Sequence, residues 1–367
     1  MASEYPVVED DPAWSVMDMI RQSPPVDVKA PYSTASLAGK TILITGAASG
    51  FGAAFARHWA AKGSHIIAGD VNDAAGEALV AELRSLPGSS GHHHYQHCDV
   101  TNWQDQVSLF KAGVRASPTG RIDAVVAGAG IVDMGDPATG RTFDNPVGLD
   151  AENPPPPRLS VLNVNLTGVM YTTHLALYWL RRNGDGDDGK PRDRHLLLIS
   201  SIAGVSPLPS QTEYTVSKHG VLGLFRVLRS TAWQQGVRVN VLCPYFVQTS
   251  LIPWQGQMIL AGGALGTVDD VVEAATRLQA DEAIAGRGLV IGPEGPVETE
   301  GPDGKTATRT QSIWEIYAHD YRRVELYVWR YIAMINAATR VRGWIGTLKD
   351  LFSIYRQERN RGKAKRK

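Results

Sequence analysis

"KTILITGAASGFGAAFARHWAAKG", residues 40–63, decides the architecture of the chain. Residues 40–45 form a short apolar run rich in β-branched side chains, the composition of a strand buried on both faces. Residues 50–63 read as an Ala-rich helix that stops at Gly63, since glycine readily adopts the left-handed conformation that closes helices. Between them "TGAASGFG", residues 45–52, carries Gly46, Gly50 and Gly52. Glycines there let the backbone turn tightly and approach a pyrophosphate, to which the helix N-terminus offers unpaired N–H groups and a partial positive charge. A glycine-rich loop alone is a weak signal. Its place between strand and helix is the context the mechanism requires. A bare tight turn is the competing reading.

The same grammar continues outward. Strands read at 65–70, near 95–100, at 122–128, 194–200, 237–244 and 287–292. Helices read at 73–86, from about Trp103, at 160–182, 211–236 and 267–279. Alternation of this kind implies right-handed crossovers and a doubly wound parallel sheet, a Rossmann-type α/β fold with helices on both faces. The domain is expected over 38–295, with residues 1–37 as a mobile or surface-draped arm and 296–367 as a linker and basic helical extension. Two long connections, 133–160 and 244–266, follow strand C-termini, the edge where open α/β sheets bind ligands.

Formal net charge is zero, which argues against bulk attraction for nucleic acid. Two cysteines, Cys98 and Cys243, argue against a disulfide framework and fit a reducing compartment. The acidic N-terminus lacks a basic region followed by an apolar run, and no apolar stretch approaches the ~20 residues of a membrane span. The expected location is cytoplasmic.

Asp70 ends the second strand, 18 residues beyond Gly52. A carboxylate there can accept hydrogen bonds from the adenosine ribose and repel a 2′-phosphate, and neither flanking residue is basic; this favours NAD over NADP. Asp73 suits the job of capping the next helix better than Asp70 does. In "TEYTVSK", residues 212–218, Tyr214 and Lys218 are neighbours on one helix face. A nearby ammonium favours a phenolate and is expected to bring the phenol into the range of acid–base work. Ser201 ends the strand before that helix, where its hydroxyl could steady charge on a substrate oxygen.

Together "TGAASGFG", "CDV" (98–100), "NVNLTG" (163–168), "ISSIAG" (199–204) with "YTVSK" (214–218), and "VRVNVLCP" (237–244) resemble the short-chain dehydrogenase/reductase family in its NAD-dependent branch, over about 38–295. Residues 195–251 are especially similar to the 15-hydroxyprostaglandin dehydrogenases, Gln211 included. The resemblance implies that Tyr214 transfers the proton, that Lys218 lowers its pKa and binds the nicotinamide ribose, and that Ser201 orients the substrate oxygen. It implies that Asn165 holds a water linking Lys218 to solvent. Gly46, Ser49, Gly50, Phe51, Gly52 and Ala129 would line the cofactor, Asp99 and Val100 the adenine, and Val247 and Thr249 the carboxamide. Gln211 and Tyr245 would face substrate. A homodimer or homotetramer, paired through the fourth and fifth helices, is implied as well. A catalytically silent NAD-binding sensor or scaffold is the alternative.

Three departures matter. "AGAG", 127–130, lacks an asparagine that in the family stiffens the sheet. Tyr245 follows Pro244 where a glycine is usual, and "IGPEGP", 291–296, replaces a glycine pair. "GHHHYQHCD", 91–99, invites a metal reading, but it lacks separated ligand clusters and reads as a polar turn into a strand, so no metal is expected. His219 is expected to pack. From Tyr321 onward 13 Lys or Arg face 3 Asp or Glu, and apolar residues recur at helical spacing. A helical hairpin with a solvated basic tail is the favoured reading, peripheral contact with a membrane surface the alternative.

Overall fold

The computed structural model describes residues 22–132, 142–144, 146, 152–153, 156–184, 192–208, 211–247, 265–300, 306–316 and positions 337, 341 and 344. In chain order the elements are β1 (Thr41–Thr45), α1 (Gly50–Ala60), β2 (His65–Asp70), α2 (Asp73–Ser85), β3 (His94–His97), α3 (Trp103–Ala116) and β4 (Ala124–Ala127). A helical turn (Ser160–Leu162) and a π-helical turn (Asn163–Gly168) lead into α4 (Val169–Arg181). Then come β5 (His195–Ile199), α5 (Thr212–Leu228), β6 (Arg238–Pro244), α6 (Val268–Ala280), β7 (Gly288–Glu300) and β8 (Thr306–Ile316). The sheet order is β3-β2-β1-β4-β5-β6-β7-β8, parallel throughout except for the antiparallel β7–β8 pair.

The period of two in β1 explains the layers. Ile42 and Ile44 belong to one core with Trp59, Leu79 and Leu278, while Leu43 belongs to the other with Phe110, Val125 and Phe225. Helices α1, α2 and α6 cover the first face, and α3, α4 and α5 the second. The chain order reverses at β1 beside β4, which places a topological switch point at their C-terminal ends.

Both expected domain boundaries move outward. Residues 21–318 form one compact unit, and 1–20 with 319–367 another. The stretch before β1 is tied down: Ser23 N–H donates to Ala285 O at 3.0 Å, the Arg277 guanidinium lies 4.3 Å over the Tyr32 ring, and Leu37 is buried. At the other end, residues 296–300 and 306–316 are strand rather than linker and helix. β7 runs on to Glu300 through an irregularity between Ile291 and Gly295, and β8 returns beside it. That irregularity absorbs "IGPEGP", whose prolines and glycines imitate a strand end. Most of the basic extension lies outside the described residues; Ala337, Val341 and Trp344 are helical and exposed. Among the described residues no helix is long and apolar enough to cross a membrane.

Candidate active site

The glycine turn sits at the switch point. Gly46 has φ +70°, and a Cβ on it would lie 2.6 Å from the Ala129 Cα, so only glycine lets β1 and β4 close here. A Cβ on Gly52 would lie 2.2 Å from the Gly46 carbonyl oxygen, packing the first turn of α1 onto the loop. Gly50 has φ +50° and open space where its Cβ would be. Ser49, the N-cap, makes no side-chain capping bond, so the first amides of α1 keep their hydrogens for a ligand. Backbone amides, open space above them and a helix N-terminus fit a pyrophosphate.

Asp70 is not a helix cap. Its carboxylate accepts from the Ala48 amide at 2.9 Å and from the Asn72 amide at 3.0 Å, holding the glycine loop against the end of β2. The cap of α2 is Asn72, whose side chain accepts from Ala75 N–H; Asp73 instead takes hydrogen bonds from Tyr95 and His97. Asp99 accepts from the Thr101 amide and hydroxyl, and Val100 is buried against Gly168. The asparagine missing from "AGAG" is answered by Thr45, whose hydroxyl accepts from the Gly128 amide at 3.2 Å and the Ala129 amide at 3.5 Å. Sequence reasoning had no signal for this, because Thr45 serves β4 from a different strand.

Ser201, Tyr214, Lys218 and Asn165 come together beyond the C-terminal ends of β4 and β5. Ser201 caps a short 3₁₀ turn, accepting from Ala203 N–H at 3.1 Å, and hydrogen-bonds the Tyr214 side chain. Lys218, buried, places Nζ 5.6 Å from the Tyr214 ring centroid and donates to the Ile199 carbonyl at 3.1 Å. Asn165 lies in the π-helical turn: its Oδ1 accepts from Ile131 N–H at 2.8 Å, and its Nδ2 donates to Ile131 O at 2.8 Å and to Ser217 Oγ at 3.3 Å. Both amide hydrogens are thereby used.

The electrostatics differ from the expectation that Lys218 lowers the phenol pKa. Burial pushes the Tyr214 phenol above its ordinary value; the Ser201 hydrogen bond pulls the other way, and the buried Cys243 adds to the rise. Burial brings Lys218 down to about 8. Burial thus disfavours the charged form of both groups.

Val247 is buried and bridges Gly266, whereas Thr249 lies outside the described residues. Gln211 is the N-cap residue of α5, half-buried, three residues from Tyr214. Tyr245 follows β6 directly, 36% exposed, its ring edge-on to Phe246 at 4.9 Å. The preceding Pro244 carbonyl oxygen lies 3.4 Å from Ser201 Oγ, which places Tyr245 one residue from the reacting groups. His219 is exposed rather than packed, 3.0 Å from the Thr215 carbonyl, because it falls on the outer face of α5. Among the histidines of 92–97, His93 bonds Ser89 and His97 bonds Asp73, and no metal-holding group of three occurs among the described residues.

Residues 40–257 match the family model described as short chain dehydrogenase. The 5′-hydroxyaverantin dehydrogenase of Dothistroma septosporum is 38% identical over 270 residues, covering 71% of this chain and 87% of that protein. The 5′-hydroxyaverantin dehydrogenase stcG of Emericella nidulans is 39% identical over 274 residues, covering 71% and 86%. In structure, the 3-ketoacyl-(acyl-carrier-protein) reductase of Brucella melitensis, complexed with NADH, has a TM-score of 0.56 at 25% identity, over 70% of this chain and 97% of that one. With the doubly wound sheet, the glycine turn at its switch point and a family match over more than half its length, the chain belongs to the short-chain dehydrogenase family of oxidoreductases.

Proposed function

We propose that the chain is an NAD-dependent dehydrogenase that oxidises a secondary alcohol on an apolar, aromatic small molecule, or reduces the matching ketone. The observation that carries this is the convergence of Ser201, Tyr214 and Lys218 at the sheet edge that also holds the glycine turn. A nicotinamide cofactor, when bound, supplies the hydride chemistry, and in its oxidised form a positive charge that favours the phenolate. Gly50, Phe51 and Gly52 hold its pyrophosphate end, and Asp70 holds the adenosine ribose and disfavours a 2′-phosphate.

Tyr214 Oη takes or gives the proton on the substrate oxygen, and Ser201 Oγ donates to that oxygen as charge develops there. Lys218 binds the nicotinamide ribose and passes the proton onward. With the Asn165 amide hydrogens taken up by Ile131 and Ser217, its main chain is left to hold the water of that relay.

The substrate class rests on two supports. The relatives act, by name, on 5′-hydroxyaverantin, and the partly exposed Tyr245 follows directly on Pro244, whose carbonyl lies against Ser201. The likeness of 195–251 to 15-hydroxyprostaglandin dehydrogenases agrees with a hydroxyl on an apolar skeleton. Exposed Met170 and Tyr178 on α4 and Val216 and Val227 on α5 suit a homodimer paired through these helices. The test is formation of NADH from NAD and 5′-hydroxyaverantin, run beside a panel of hydroxylated polyketides, steroids and terpenoids and repeated with NADP. Tyr214→Phe should abolish turnover and leave NADH binding intact. Retained turnover removes Tyr214 from the acid–base role.

A further inference from the structure

Ser217 stands between Tyr214 and Lys218 in α5 and is fully buried. Its hydroxyl donates to the Tyr214 carbonyl at 2.7 Å. Such a bond back along the helix is common for serine and carries no message alone. With that hydrogen spent, Oγ can only accept, and it accepts from Asn165 Nδ2 at 3.3 Å. The remaining polar atoms of the Asn165 side chain are fixed on the main chain of Ile131. One hydroxyl thus joins three pieces: the turn of α5 that carries Tyr214 and Lys218, the π-helical turn 163–168, and the chain leaving β4.

These pieces meet over Gly130. The Cβ that Gly130 lacks would lie 3.4 Å from Asn165 Oδ1 and 3.6 Å from Lys218 Nζ. The Asn165 amide and Lys218 Nζ thus lie within contact distance of the strand end. Leu166 packed on Gly220 and the Ser217–Asn165 hydrogen bond both hold α5 to the π-helical turn, and the hydrogen bond is the one that lies beside Tyr214 and Lys218.

We propose that Ser217 is a positioning residue of the proposed reaction: it fixes the depth of α5 against Asn165, so that the Tyr214 phenol reaches the Ser201 hydroxyl and Lys218 stays over Gly130. The inference rests on the reading of Tyr214 as the acid–base group. Ser217 touches neither substrate nor cofactor in this role.

Ser217→Ala in the full-length chain leaves one Asn165 hydrogen unpaired and lets the turn drift. With NAD and the alcohol oxidised in the assay above, kcat is expected to fall about tenfold, the order of loss that sub-ångström misplacement brings. KM for the alcohol and the NADH dissociation constant should stay within about twofold. Ser217→Thr, which keeps the hydroxyl, should recover most of the loss. In the Asn165→Ala background, Ser217→Ala should cost nothing further, since its partner is already gone.

Hydrogen exchange at the Ile131 amide gives a readout that needs no substrate. It should quicken about tenfold in Ser217→Ala, while the thermal midpoint moves by only a few degrees. Unchanged Ile131 exchange, unchanged kcat, or full additivity with Asn165→Ala overturns the inference and leaves the proposed function standing. Turnover that survives Tyr214→Phe overturns the proposed function instead, and the exchange result is read independently of it.

Discussion

Replacing His93 by asparagine should flatten the acid dependence of stability. His93 is buried beside β3, in the turn between α2 and the sheet. Its Nδ1 accepts from the Ile66 amide at 3.1 Å, so the single ring hydrogen of the neutral form sits on Nε2, 2.8 Å from Ser89 Oγ. Protonation would drive a second N–H against the amide of Ile66. Burial, with lesser contributions from His65, Arg84 and His92, lowers the pKa to about 4. The sign follows directly. The folded state prefers the neutral ring, so this stability is complete above the unfolded value of 6.5 and is lost as pH falls from 6.5 toward about 4. Linkage gives a loss of about 2 kcal/mol at pH 5 and about 3 kcal/mol at pH 4. The assay is urea unfolding of wild type and His93→Asn between pH 7.5 and pH 4.5. Asparagine keeps an acceptor near Nδ1 but does not titrate, so the variant should start about 1–2 kcal/mol less stable at pH 7.5 and then lose about 2 kcal/mol less than wild type by pH 5. His195, buried and held well below its ordinary pKa, titrates in both proteins and cancels in the comparison. Parallel stability curves for the two proteins would refute the reasoning.

Other perturbations test the cofactor and substrate sides. Gly52→Ala puts a methyl 2.2 Å from the Gly46 carbonyl oxygen, backbone against backbone, and should weaken NADH binding at least about tenfold in a fluorescence titration; unaltered binding would mean that α1 can retreat freely. Asp70→Ser removes a like charge from the place of a 2′-phosphate, an interaction on the order of 2 kcal/mol, and should shift the ratio of NAD to NADP affinity about thirtyfold toward NADP. Tyr245→Gly removes a partly exposed ring one residue beyond the Pro244 carbonyl that meets Ser201, without touching the glycine turn; KM for an aromatic alcohol should rise about five- to tenfold while NADH affinity holds.

Much of the site was legible because its members lie on single elements. Tyr214 and Lys218 are one helical turn apart in any α-helix, and Gly46, Gly50 and Gly52 gain their meaning from the strand and helix signals that flank them directly. The unforeseen parts depend on segments far apart in sequence. Thr45 answers for the missing asparagine of β4 across 83 residues, and Ser217 meets Asn165 across 52. β8 escaped notice because "TATRTQSIWEI" has a mostly polar alternation that suits an edge strand, after a Pro- and Gly-bearing irregularity that resembles a domain end.

The acid–base pair marks a subtler limit. Spacing shows that an ammonium and a phenol are neighbours, but which group ionises first depends on burial, and burial is a property of the fold. Here desolvation at the sheet edge pushes the phenol up and the amine down, against the direction that the pairing argument assumes for the phenol. Some other influence must draw the phenol down. In the chain that influence is the Ser201 hydrogen bond. Ser201→Ala should therefore raise the Tyr214 pKa, moving the rising limb of the kcat/KM profile to higher pH rather than merely scaling the rate. A profile that only drops in height would show that Ser201 contacts substrate without tuning the tyrosine.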